Sequence, residues 1–278
     1  MYLRQIVFIL LMLCAFLTQA GAVKVIATPE YPFTFINEQG QIDGFAVALA
    51  QQIQKRIPGQ DVPVDSYPWA RLIKVLSEEP DVVGLAVART PEREENFYWI
   101  TPVARSIHGL YALKQNHVLL EDMSQVKNIG PIGVLRGDFR ETILRQAGAT
   151  ELVLYNNWQQ VVEALLKGRV NAIFTSSSGI HYLCPPTRFE CKAVENIYIY
   201  KVVTTYIAMS KNGTDISTVE QWREAAAQFK HDRQFVLMSK RWVEQYRRDK
   251  NMQLYLDNGA INIWPDPHQP ISKNTNSP

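Results

Sequence analysis

Apolar residues along this chain alternate between a strand rhythm and a helix rhythm, and that alternation predicts the architecture. Residues 23–28 form a near-continuous apolar run, read as a buried strand. After a turn at 37–40, the segment 44–57 carries Phe45, Leu49, Ile53 and Ile57 at helical spacing until Pro58-Gly59 stops it. Residues 62–64 and 81–87 read as further strands around a helix at 69–76. The cycle then restarts. Residues 132–135 read as a strand, Gly137 as a turn, and Asp138 with Glu141 three residues later opens a helix running to Gly148. A strand at 152–155, a helix capped by Asn157 and ending at Gly168, and a strand at 172–175 complete it. Helices covering a parallel or mixed sheet, twice over, predict an α/β fold of two lobes in tandem.

Two extended apolar segments, 106–114 and 202–209, lie between the cycles and after the second. The helices expected at 217–229 and about 235–246 bring no strands of their own, so they must pack back onto an earlier lobe. The chain then divides into lobe 1 at 23–110, lobe 2 at 111–203 and a return to lobe 1 at 204–264, with a two-strand hinge over a cleft able to close on a ligand. Residues 265–278 are polar and rich in proline, asparagine and serine, and read as a disordered tail.

Residues 1–22 read as a cleavable signal peptide: a short positive start, an apolar stretch at 6–17 too short to span a bilayer, and Ala20-Gly21-Ala22 at the cleavage site. Leu13 precedes Cys14 where a lipoprotein signal wants a small residue, which speaks against lipidation. Export to the periplasm follows. The formal charge is +2, with 29 lysines and arginines against 27 aspartates and glutamates, so neither nucleic acid nor an anionic membrane surface is implied as a partner. Processing leaves Cys184 and Cys191, which in an oxidising compartment read as a small disulfide-closed loop. Zinc is the rival reading, with His181 the one nitrogen ligand near in sequence.

Chemistry concentrates at Arg89-Thr90-Pro91-Glu92-Arg93, where a strand gives way to a short helix with Thr90 as N-cap and Pro91 at its first position. Free N–H groups there, with the Arg93 fork one turn in, suit a carboxylate. Equally, Thr90 merely caps while Arg93 is solvated or pairs with Glu94 or Glu95.

Tyr31-Pro32-Phe33 with Gly40 and Gly44-Phe45, Thr90-Pro91-Glu92-Arg93, Ile132-Gly133-Val134 with Gly137, the run from Gly168 to Ala172, and Tyr206-Ile207-Ala208 resemble, in that order, the bacterial extracellular solute-binding proteins of family 3. The resemblance covers nearly the whole mature chain. It implies a periplasmic binding protein fold of the second type, closing on a small solute, commonly a polar amino acid delivered to the membrane permease of an ABC importer. Pro68-Trp69-Ala70-Arg71 with Arg89-Thr90 resembles a less understood branch of that family.

Carried over on this resemblance, Arg93 matches the arginine gripping the ligand carboxylate, and Tyr31 or Phe33 an aromatic wall. The rest of the amino-acid set is mostly absent. Asp138 and Phe139 follow Gly137 where a serine or threonine donor is usual, Ser176 stands where an acid receives the ammonium, Ala88 where a serine precedes the arginine turn, and Ala46 where an acid often follows Gly-Phe. The ligand is therefore expected outside the usual α-amino-acid pose: it lacks the ammonium, or it turns a cationic end toward Asp138. Trp69 and Tyr31 offer stacking surfaces, Arg71, Arg89 and Arg136 charge, and Ser176-Ser177-Ser178 hydroxyls. Trp69 is equally a packing residue, Arg136 a solvated turn residue and His181 structural. The expected function is solute binding by a monomer without cofactor or metal. The rival readings are docking of the closed protein onto a membrane sensor and a dehydratase-like activity, for which Asp138 is the one evident acid.

Overall fold

The computed structural model of the chain describes residues 23–267; the expected signal peptide and the end of the expected tail lie outside the described residues. Strand β1 (Lys24–Ala27) lies between β4 (Val64–Ser66) and β5 (Val82–Ala88), parallel to both. Strand β5 is buried along its whole length, so the sheet needs cover on both faces. Helices α1 (Phe45–Gln54) and α2 (Trp69–Glu78) supply it. Helix α1 starts at Gly44, which has φ 127°; a Cβ there would lie within van der Waals overlap of the Phe33 carbonyl. The helix ends short of the expected Ile57. A small hairpin, β2 (Phe35–Ile36) with β3 (Ile42–Asp43), closes over the turn at 37–40.

Two 17-residue strands, β6 (Phe97–Leu113) and β10 (Val194–Ser210), pair antiparallel along their length and join the halves of the sheet. On one half, β5 pairs with β10 at Thr205–Met209. On the other, β9 (Ala172–Ser176) pairs with β6 at His108–Ala112, followed by β7 (Ile132–Leu135) and β8 (Leu152–Tyr155). The partner on this edge of β6 changes between Ser106 and His108, a few residues upstream of the lobe boundary expected at 110. Helices α3 (Phe139–Gln146), α4 (Trp158–Leu166) and α5 (Ser177–Leu183) cover the second half. Each is capped by the side chain before it: Asp138 accepts from the Arg140 amide, Asn157 from Gln160 and Ser176 from Gly179.

Helices α6 (Ile216–His231) and α7 (Arg233–Lys250) return to the first half, where Trp222, Phe229 and Tyr246 join Val25, Phe33, Phe45, Leu49 and Ile53 in one core. The expectation that no strands follow these helices is corrected. Strands β11 (Tyr255–Asp257) and β12 (Ala260–Ile263) form a hairpin, and β12 pairs parallel with β6 at Ala104–Ser106. Its signal was the pair Asn258-Gly259, both at positive φ (46° and 70°), the backbone that a tight hairpin turn demands. A second core, with Leu110, Ile132, Val134, Leu144 and Phe174, fills the other lobe. A third runs from Trp69, Leu72 and Val87 to Leu135, Trp158 and Val161, packing the lobes against each other. Cys184 and Cys191 are disulfide-bonded, so neither sulfur is left for zinc.

Candidate functional site

The short helix expected after β5 is present, with Thr90 at its N-cap position and Pro91 first in it. Pro91–Arg93 is a single 3-10 turn, and Thr90 makes no side-chain cap bond. The partner expected for Arg93 belongs to another residue: exposed Arg89 pairs with Glu94. Arg93 instead turns inward, 8% exposed, with its guanidinium 5.0 Å from the Trp69 ring centre and 5.5 Å from that of Phe139. Its Nη1 donates to the Ala88 carbonyl at 3.3 Å, and no carboxylate of the described residues lies within ion-pair distance of it. Burial pushes its pKa down, and the nearby Asp138 charge opposes that shift. A buried cation without a paired anion is an electrostatic demand that an anionic ligand can satisfy. A recess of about 190 Å³ borders it, lined in part by Ile73, Glu92, Phe97 and Thr142. Larger surface depressions lie elsewhere: one of about 590 Å³ near His117 and Asn171 is lined by no acid, lysine or arginine, and one of about 690 Å³ along α4 is lined in part by Glu163, Lys167 and Arg169, of which Glu163 and Lys167 pair with each other.

Across the cleft, Asp138 is buried, lines the same recess, and is bonded through one carboxylate oxygen. Its Oδ1 accepts from the Arg140 amide at 3.0 Å and from Arg140 Nη1 at 2.9 Å, so capping and ion pairing are one arrangement. Arg140 is 2% exposed and reaches Glu30 of the opposite lobe, Nη2 to Oε1 at 3.6 Å. Its Nε donates to His108 Nδ1 at 3.2 Å. Burial and the Arg140 charge hold His108 well below the usual histidine range. The neutral ring therefore accepts at Nδ1 and donates from Nε2 to Ser106 Oγ at 3.1 Å, a tautomer assigned from these partners. Glu30 Oε2 accepts from Trp158 Nε1 at 2.6 Å, while burial raises its pKa against the pull of Arg140. Trp69 Nε1 donates to the Gly137 carbonyl at 3.1 Å, and Tyr31 stacks on Tyr182 at 4.6 Å. These contacts join one lobe to the other.

Of the residues singled out from sequence, Tyr31, Trp69, Arg93, Asp138 and Phe139 meet at this closed interface, with Ala88 contributing its carbonyl. Phe33 lies in the first core, 2% exposed. Arg71 is exposed on the outside, over the Tyr67 ring. Ser176 accepts from Gly179 N and from Ser178 Oγ, its hydroxyl taken up in capping. His181 Nε2 lies 2.9 Å from the Lys250 carbonyl, a structural bond between α5 and the end of α7. Glu30, His108, Arg140 and Trp158 were missed. Each had a modest signal: an acid beside the Tyr31 motif, a lone histidine in an apolar crossing strand, an arginine two residues past a cap, and a tryptophan directly after one. Among the described residues, no group of three or more histidine, cysteine, aspartate or glutamate side chains gathers as a metal site would.

Residues 23–245 match the model of the bacterial extracellular solute-binding proteins, family 3. The chain belongs to that family. It is 24% identical over 242 residues to the histidine-binding periplasmic protein of Salmonella typhimurium, covering 83% of this chain and 90% of the relative. An ancestral arginine-binding protein bound to arginine superposes with a TM-score of 0.67 at 20% identity, over 80% of this chain and 98% of that one. A histidine kinase sensor domain with similarity to periplasmic binding proteins superposes with a TM-score of 0.68 at 15% identity, over 80% and 96%. At these identities the solved structures share the fold. The two lobes and the paired crossing strands belong to that shared fold. Among the described residues no helix is long and apolar enough to cross a membrane.

Proposed function

We propose that this family 3 protein is a periplasmic solute-binding protein that closes its lobes on a small polar, carboxylate-bearing solute, an amino acid or related molecule, and presents it to an ABC importer. The observation that carries the reading is Arg93: buried, flanked by Trp69 and Phe139 from opposite lobes, and without an ion-pair partner among the described residues. A carboxylate placed there would bring a charge-assisted bond at the point where the lobes meet, so binding and closure would be coupled. The histidine-binding relative, periplasmic by name, supports the compartment and the solute class. A second reading, docking of the closed protein onto a membrane sensor, is favoured by the sensor-domain likeness and uses the same clamshell. Catalysis is a weaker reading, because Asp138, the acid it would use, is already committed to Arg140.

Calorimetric titration with amino acids and simple organic acids, alongside small-angle scattering with and without the tightest binder, tests the proposal. Saturable binding of a carboxylate with a smaller radius of gyration is expected. Binding with an unchanged radius would count against closure, and no binding of any carboxylate against the solute class.

A further inference from the structure

The geometry points to Arg140 as a tethered cation that fills the acidic half of the cleft and thereby sets the solute's charge class: an anion carrying no ammonium or guanidinium group. The inference about the solute rests on the solute-binding reading above; the occupancy of the acidic half by Arg140 does not.

Arg140 is held as a bound guanidinium would be. Its faces lie near the rings of Phe139 and Trp158, each with its centre 4.7 Å from the guanidinium carbon. Its edges meet Asp138 at 2.9 Å, Glu30 at 3.6 Å and His108 at 3.2 Å. The two acids come from different lobes, and both are engaged: Asp138 by two bonds from Arg140, Glu30 by Arg140 and Trp158. An ammonium entering this cleft would have to displace a side chain that the backbone holds at very high effective concentration. Arg93 is the opposite case. Its guanidinium meets two rings and one carbonyl but no carboxylate of the described residues, so it is the anion-receiving pole. His108, fixed on the crossing strand, orients the Arg140 fork from behind and is a positioning residue.

Chemical rescue and matched ligand pairs decide this. In Arg140→Ala, methylguanidinium at about 10 mM should raise the melting temperature by a few degrees more than in wild type, by preferential binding to the folded state. Arg140→Ala combined with Glu30→Gln should lose that rescue. Wild type is then titrated with glutarate against glutamate and with 3-phenylpropionate against phenylalanine. It should favour the acids lacking an amino group by at least about tenfold, and Arg140→Ala should reverse the order. Equal methylguanidinium shifts in wild type and variant would overturn the proposal, as would amino acids bound by wild type at least as tightly as their deamino partners. If wild type binds no carboxylate while rescue succeeds, the solute-binding reading falls and Arg140 stands as the tethered cation. Should Arg140→Ala fail to fold, Arg140→Gln carries the same tests.

Discussion

Replacing Arg93 with methionine should stabilise the empty protein and abolish its response to anions. The side chain is 8% exposed and has one hydrogen bond, at 3.3 Å, with no carboxylate of the described residues within ion-pair reach. Removing a guanidinium from water costs several kcal/mol even after relaxation. Against this stand a single carbonyl bond, worth about 1 to 3 kcal/mol, and two ring contacts of about 0.5 to 2 kcal/mol each. The Asp138 charge adds to these, but it is already paired with Arg140. Together these offset about 2 to 7 kcal/mol, so the two sides nearly cancel. Methionine, similar in length and apolar, keeps the packing and carries no desolvation cost, and should gain about 1 kcal/mol. For a protein of this size that is about 2 to 4 °C in melting temperature. The assay is thermal and urea unfolding of both proteins in buffer free of carboxylates, repeated with the acid that binds wild type best. Wild type should gain about 2.7 kcal/mol when ligand is at a hundred times its Kd. The variant should gain almost nothing, having lost about 2 to 4 kcal/mol of binding energy. An empty variant less stable than wild type by more than about 1 kcal/mol would show that Arg93 has a structural partner after all. An undiminished ligand shift would show that the anion is anchored elsewhere.

Three further outcomes are expected. Burial raises the Glu30 pKa from its ordinary 4.5, so the folded state holds that proton more tightly than the unfolded chain, and wild-type stability should fall as pH rises from about 4.5 through the raised value. Glu30→Gln should remove this slope in pH-dependent unfolding; an unchanged slope would mean that other groups cause it. Ala86, inside β5 at φ 56°, sits where the register with β10 gains a residue, so Ala86→Gly should be neutral or stabilising by up to about 1 kcal/mol and Ala86→Val strongly destabilising, as read by urea unfolding. A stable valine variant would contradict the strained backbone. Removing the disulfide by the double change Cys184→Ala and Cys191→Ala should cost about 2 kcal/mol, since the loop it closes is short. A loss near zero would mean that the loop is already ordered by its packing in the unfolded reference.

Legible in the sequence were the strand–helix alternation, the crossing strands, the helix caps at Asp138 and Asn157, and the family; that Ser176 caps a helix was not. The legible features are local properties: a period of two or 3.6, a capping side chain next to its helix, a motif in order along the chain. Even so, local reading stopped short where the turn signal was brief, as at Asn258-Gly259, and extended α1 past Gln54 into a tighter turn, where Arg56 and Ile57 bond three residues back instead of four. Only the tertiary structure decided what the cleft is made of. Arg140 meets Glu30, which is 110 positions away in sequence, and His108 on the crossing strand, and nothing in the spacing of these three residues fixes their pairing. The same holds for Phe33 and Trp69, aromatic candidates alike in sequence, of which folding sends one into a core and the other against Arg93. A charge in a buried cleft takes its partner from whichever element folds across from it, and that choice is made by the packing of two lobes, which no window of sequence contains.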